Sequence, residues 1–334
     1  MTIAKSFRSQ LLKDYTIKVF YELSQANSIF FKTQQVEDLT IGADEPAAVV
    51  IFKKKEQGNK NEIKYIKPSL DSLAEFLKIP VIKSSDSTYV PQISLQEDDQ
   101  LWRVLAIGDM EDYRLIRKLL SHGEIELKAG EGFSATKHKK TPKILKHTEY
   151  VNATSIAPFI FIEDKKQKTP QEGLKIEVVR SGYDTNKKLL IKRRVTNDLR
   201  IKAGYDIPGY KFKNDLLALF FSNYDYRLML SFFNSSLISY FTTLCSAQIG
   251  KGTRGWLQTN EIRNIPIPYE RNLLDKNKKD LIAMTELILK SGCASVEIVK
   301  QIDEIIFNVY HLKEFEKQRI RDFFDVHYRQ KGKA

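Results

Sequence analysis

"SFFNSSLISYFTTLCSAQIGKGTRGWLQTNEIRNIPIP" runs from Ser231 to Pro268. The apolar part belongs to a long helix over about 225–245. It gives way to a basic loop, Gly250–Gly255, that carries Lys251, Thr253 and Arg254. Glycine at both ends leaves the loop backbone free to move. Trp256 then anchors the return into the fold. "TNEIRN" reads as a short helix capped by Thr259, and Pro266 and Pro268 mark its exit into an extended segment.

On the C-terminal side the chain is helical. "DKNKKDLIAMTELILK" (275–290) is one helix, and "SVEIVKQIDEIIFNVYHL" (295–312) is a second, capped by Ser295. Val296, Val299, Ile302, Ile306 and Val309 fall three or four apart, on one face. Two readings stand for that stripe: packing within its own domain, or docking to another chain. Phe315, Ile320, Phe323 and Phe324 announce a last helix. On the N-terminal side, residues 4–14 read as a helix and "TIKVFYEL" (16–23) as a strand. "AAVVIFKKK" (47–55) has the continuous apolar run of a strand buried on both faces, with "EIKYIKP" (62–68) as its hairpin partner. "LDSLAEFLK" (70–78) is helical, with Pro80 as its stop. Residues 97–121 form two short helices broken at Gly108, the second capped by Asp109, with Trp102 as an apolar anchor. Between them and the opening segment lie short strands at "PFIFI" (158–162), "LKIEVVR" (174–180) and "KLLIKRRV" (188–195), separated by turn signals as in an irregular β domain.

The chemistry the chain lacks narrows its function. None of the five histidines stands with a second His or Cys at metal-ligand spacing, which argues against a zinc site. There is no phosphate-binding Gly-x-x-x-x-Gly-Lys-Ser/Thr loop and no Gly-x-Ser-x-Gly nucleophile elbow. "KAGEGF" (128–133) lacks the third glycine of a dinucleotide fingerprint. The two cysteines make no disulfide framework, and a reduced, cytoplasmic setting is expected. No run of about eighteen apolar residues predicts a membrane span.

What the chain has instead is cation. The formal net charge of its 334 residues is +12, which suits a polyanionic partner or a solvated lysine surface. Three basic, glycine-containing or strand-borne segments point to the first. One holds Lys128, Gly130, Gly132, Lys137, Lys139, Lys140 and Lys143; the second, "KKLLIKRR" (187–194), holds Lys192, Arg193 and Arg194; the third is the loop with Lys251, Thr253 and Arg254, closed by Trp256. Lysines there suit phosphate contacts, and arginines suit forked pairs to guanine. Glycine permits close approach of backbone to a duplex.

The order of these segments resembles a known family. "FRSQLLKDYTIKVFYEL…IFF…EPAAVVIFKKK" resembles the closing part of the methyltransferase domain in N6-adenine DNA methyltransferases. "LWRVLAIGDMEDYRLIRKL" is similar to the linker of that family, and "LKAGEGFSATKHKK" to the entry of its target-recognition domain. "KLLIKRR…NSSLISYFTTL…GTRGWLQTNEIRNIPIP" resembles the core of that domain, and the C-terminal helices resemble the family's ending. The likeness is to type II restriction–modification methyltransferases with a TaqI-like specificity domain, and to fused endonuclease–methyltransferases.

The resemblance implies an α+β chain: the tail of an α/β methyltransferase sheet over 1–67, a helical linker over 68–122, an irregular mixed α/β target-recognition domain over 123–270, and a C-terminal helical region over 271–334. It implies double-stranded DNA as partner, with a catalytic methyltransferase or nuclease domain or subunit elsewhere. A non-catalytic specificity subunit that docks to a separate methylase or nuclease is the alternative. The family's glycine-rich S-adenosylmethionine motif and its Asn-Pro-Pro-Tyr motif are absent, and no Pro-Pro pair occurs. The chain is therefore expected to bind no cofactor by itself and to be inactive alone, S-adenosylmethionine belonging to the complete enzyme. Phe30 or Phe31 falls where the family stacks an aromatic on the flipped adenine; an ordinary core phenylalanine is the other reading.

Overall fold

A computed structural model describes residues 2–24, 34–36, 39–41, 48–55, 60–68, 81–123, 125–135, 143–177, 187–196, 198–221, 224–249 and 255–331; for residues 2–5, 34–36, 39–41 and 326–331 it describes the backbone alone. The chain is α+β, built from several small sheets and ending in helices. It divides into two compact units. The first is residues 1–114 with 247–255, and the second is residues 115–246 with 256–334.

In the first unit, helix α1 (Thr2–Asp14) leads into strand β1 (Tyr15–Glu22). A small hairpin follows, β2 (Gln34–Val36) and β3 (Leu39–Ile41). Then come β4 (Ala48–Lys54), β5 (Glu62–Ile66) and β6 (Ser87–Pro91). The sheet order is β4-β1-β5-β6, with β1 parallel to β5 and the other pairs antiparallel. Helices α2 (Gln92–Glu97) and α3 (Asp99–Leu105) follow, and then α4 (Met110–Leu120), whose residues from Leu115 on are counted with the second unit. One apolar core joins α1, the sheet and α2–α3 through Leu12, Ile17, Phe20, Ile63, Tyr65, Val90, Leu95, Leu101 and Leu105. Phe20 stacks on Tyr65 and meets the edge of Trp102, whose indole N–H donates to the Leu95 carbonyl at 2.9 Å. The buried amide of Gln92 ties the α1–β1 junction: it donates to the Leu12 and Tyr15 carbonyls and accepts from the Ile17 N–H. The expected Asp109 cap is present, with its carboxylate accepting from the N–H groups of Glu111 and Asp112.

Two strand expectations are corrected here. β4 is not buried on both faces: it lies at the sheet edge, and Val49, Ile51 and Phe52 are each about half exposed. Nor does β5 pair with it, because β1 comes between them. An apolar run specifies a strand but not its position in the sheet. The expected helix at 70–78 lies outside the described residues.

In the second unit the strands are β7 (Lys128–Glu131), β8 (Ser134–Ala135), β9 (Lys143–Leu145), β10 (Glu149–Val151), β11 (Ile156–Ala157), β12 (Ile160–Phe161), β13 (Gln167–Lys168), β14 (Leu174–Glu177), β15 (Lys188–Lys192), β16 (Ala203–Asp206), β17 (Lys211–Phe212) and β18 (Leu216–Phe220). The central sheet is antiparallel, in the order β16-β15-β18-β7. One face presents Leu190, Leu216 and Ala218 to Val151, Ile156 and Phe212 from the small strands. Helices α5 (Tyr226–Phe233) and α7 (Thr259–Arg263) pack against the sheet, and α6 (Ser236–Cys245) against α5 and α7. The burial on both faces expected of 47–55 is found instead at β18, "LLALF", whose first four residues are buried.

The long apolar helix expected over 225–245 is two helices bent by 59°. Ser235 starts the second, its hydroxyl accepting from the Ile238 N–H. The buried Asn234 amide fills the break, donating to the Ala203 and Leu230 carbonyls and accepting from the Phe159 and Ala203 N–H groups. Hydrogen bonds to the sheet thus outweigh helical continuity. No single helix among the described residues is long and apolar enough to cross a membrane. The cap of α7 is Gln258, whose N–H donates to the Glu261 carboxylate at 2.8 Å; Thr259 is the first helical residue.

The C-terminal helices are α8 (Asp275–Ser291), α9 (Val296–Val309) and α10 (Glu314–Lys331). Gly292 closes α8 in the left-handed conformation that glycine adopts without strain. The stripe on α9 packs within the unit at its centre: Ile302 and Ile306 are buried and Val299 and Val309 partly so, while Val296 at its start is exposed. Of the aromatics expected to hold α10, Phe323 and Phe324 are buried and Phe315 is exposed.

Candidate nucleic-acid interface

The charge of the chain is divided unevenly. Counted on the sequence, the first unit carries 17 Lys and Arg against 17 Asp and Glu, and the second carries 37 against 25. The whole excess of twelve therefore sits in the second unit, although the loop with Lys251 and Arg254 is counted with the first.

Within the second unit the structure sorts the expected cations into internal and outward ones. Alternation along β15 places Lys188 on the face that packs against the small strands, where it forms a fully buried ion pair with Asp206 at 2.7 Å and donates to the Tyr210 carbonyl. Arg193 is also internal. Its guanidinium meets Glu131 at 3.0 Å, donates to the Leu257 and Asn214 carbonyls, and lies 4.9 Å from the Trp256 ring. The forked pairing with guanine expected of Arg193 is corrected: the group is held inside the fold. Trp256 is itself held within the second unit. Its backbone bridges to Arg194, and the next N–H, of Leu257, donates to the Arg193 carbonyl at 2.8 Å.

The glycines of "KAGEGF" also have an internal reason. Gly130 sits in β7 opposite Ala218. A side chain on Gly132 would place its Cβ 2.2 Å from the Phe212 carbonyl oxygen, so this backbone approaches another strand of the same protein, not a duplex.

Four expected cations are described and have side chains that make no hydrogen bond or ion pair: Lys128, Lys143, Lys192 and Arg194. They are not one cluster. Lys128 aligns through β18 with the Lys188 end of β15, whereas Lys192 and Arg194 leave the opposite end. Four strand residues, about 13 Å, separate those ends. Lys143 belongs to a separate sheet, β8-β14-β9. Phe30, Phe31, Lys137, Lys139, Lys140, Lys251, Thr253 and Arg254 lie outside the described residues.

Sequence reasoning missed Lys202. The Lys192 N–H donates to its carbonyl at 2.9 Å, so the two lysines are cross-strand neighbours. Burial lowers the Lys192 ammonium below the usual lysine range, and the Lys202 charge pushes in the same direction, against Asp198 and Asp215. No signal in the sequence pairs residues ten apart without knowing the hairpin register. No group of three or more His, Cys, Asp or Glu that could hold a metal occurs among the described residues.

No protein-family model matches the chain, and no curated protein matches it. Among solved structures it is similar to the type IIG restriction endonuclease BpuSI, at 13% identity and a TM-score of 0.44, over 98% of this chain and 45% of that one. It is also similar to the type IIL restriction–modification enzyme MmeI, solved in complex with DNA, at 9% identity and a TM-score of 0.42, over 96% of this chain and 46% of that one. The chain thus spans less than half the length of either. Likeness at this level assigns no function to the chain.

Proposed function

We propose that this chain is the sequence-specific DNA-recognition portion of a restriction–modification N6-adenine methyltransferase, or of a fused endonuclease–methyltransferase. The observation that carries the reading is the confinement of the whole positive excess to the second unit. Most of the segments that resemble a target-recognition domain and a C-terminal helical ending lie in that unit by sequence, the Gly250–Gly255 loop excepted. Cations would neutralise phosphates, and loop side chains would touch base edges. The S-adenosylmethionine and Asn-Pro-Pro-Tyr motifs would reside in another stretch of protein, so the chain alone binds no cofactor and transfers no methyl group.

Fluorescence anisotropy with duplex DNA across a salt series tests this. Binding that weakens steeply between about 50 and 200 mM salt is expected, since each neutralised phosphate releases counterions. Affinity indifferent to salt, or no binding at the low end, ends the reading. Incubation with labelled S-adenosylmethionine and duplex DNA is expected to leave the DNA unlabelled.

A further inference from the structure

We infer that the exit of β15 is a phosphodiester-binding site, formed by Lys192 and Arg194 with Lys202 alongside, that grips the nucleic-acid backbone whatever the base sequence. The inference rests on the DNA-binding reading and adds to it which cations make contact and what they contact.

The strand distributes its charges unequally. Of the cations described in "KKLLIKRR", Lys188 and Arg193 are neutralised by Asp206 and Glu131. Three described cations of this segment are left without a side-chain hydrogen bond or ion pair: Lys187 at its start, and Lys192 and Arg194 together at its exit. Lys192 is half-buried, yet no carboxylate bonds it. Neither acid that acts on it bonds it: Asp198 holds the Lys202 ammonium at 2.7 Å, and Asp215 accepts from the Ala153 N–H with one carboxylate oxygen while the other is buried without a partner. A half-desolvated ammonium beside a second ammonium is costly by itself, and a multiply accepting anion relieves that cost.

The backbone around these side chains is held firmly. Arg194 is pinned by its bridge to Trp256, and the Arg193–Glu131 pair fixes the residue between the two cations. The Thr196–Arg200 turn that brings the chain back to Lys202 is tied by Asp198, which accepts from the Thr196 hydroxyl and the Arg200 N–H. Leu199 in that turn is buried and left-handed, with φ of 54°. At the far side of the turn the Arg200 guanidinium lies 3.7 Å from the Phe324 ring on α10. A rigid frame holding unpaired cations suits a ligand of fixed charge spacing. The Lys192 ammonium is a point charge, and the Arg194 guanidinium can fork onto two oxygens of one phosphate, so both side chains suit phosphodiester contact.

The test compares wild type with Lys192→Gln, Arg194→Gln and the double variant, using two short labelled duplexes of unrelated sequence. Lys300→Gln, an exposed cation of α9, serves as control. Lys192→Arg keeps the charge and checks that packing is not the cause. Each Gln variant is expected to weaken binding about fivefold near 0.1 M salt and to lower the salt slope by about 0.9, the share of one phosphate. The loss should be the same on both duplexes, with Lys192→Arg and Lys300→Gln close to wild type. If wild type binds and the Gln variants bind equally well, or lose affinity on one duplex only, the site is overturned while the DNA-binding reading stands. If wild type itself does not bind, both fall together.

Discussion

The two units of this chain contain similar materials arranged for different ends. In the first, cations and anions are equal in number, and some of its described polar side chains tie the fold to itself: Gln92 bridges α1 and β1, and Arg8 meets Asp99 at 2.5 Å. In the second, cations exceed anions by twelve, yet its most buried cations are as inward-looking as anything in the first. Lys188 and Lys192 stand four residues apart on one strand and one face; the first is sealed against Asp206, the second has no partner. Net charge therefore says which unit holds the positive surplus, but not which of its lysines are left unpaired. Position in the sheet decides that.

The largest expected effect breaks this contrast directly. Lys188→Met should strand the buried Asp206 carboxylate and destabilise the second unit by about 3–5 kcal/mol, whereas Lys192→Met should stay within about 0.5 kcal/mol. Urea unfolding can report the units separately, because Trp102 lies in the first and Trp256 in the second; variants retaining one tryptophan each give the two transitions. Equal destabilisation by both substitutions would erase the distinction. Next in size, Gly132→Ala should cost about 1–3 kcal/mol, since the new Cβ meets the Phe212 carbonyl. Its DNA salt slope, measured on the folded fraction, should not change.

A smaller effect concerns pH. Burial works against the Asp225 charge, but the Arg227 guanidinium and N–H outweigh it and hold the carboxyl below the usual aspartate range. Its stabilising contribution is therefore complete above the unfolded value near 4 and lost as pH falls through the lower folded one. Asp225→Ala should remove about 1 kcal/mol at neutral pH, the worth of the cap it gives α5, and flatten the acid limb of the stability curve. The smallest expectation sharpens the comparison from the other side. Replacing the exposed Lys54 and Lys60 of the neutral unit by Gln should shift stability by less than about 0.5 kcal/mol. It should leave DNA affinity unchanged in the anisotropy titration; a marked loss would show that the first unit also contacts the duplex.

Much of the fold was legible where local chemistry decides it. The Asp109 and Ser295 caps, the break at Gly108 and the three C-terminal helices follow from side chains acting within a few residues of themselves. The errors share another cause. "AAVVIFKKK" and "LLALF" are both apolar runs, yet one is an exposed edge and the other a buried centre, because neighbours distant in sequence set the strand order. Ser231–Cys245 is apolar throughout, but Asn234 finds partners on Ala203 and Phe159 that a straight helix would deny it. The candidate site was half legible. Lys192 and Arg194 were visible as charges, but Arg193 between them was indistinguishable from them, and Lys202 was not visible at all.

By itself, then, the sequence determined the helix starts that a local cap marks, as at Asp109 and Ser295, that the chain carries a surplus of positive charge, and in what order its segments run. Those properties depend on composition and on contacts between near neighbours. Only the tertiary structure decided which cations are neutralised within the protein and which remain unpaired. That depends on strand order and register, which bring Asp206 to Lys188, Glu131 to Arg193, and no carboxylate to bond Lys192.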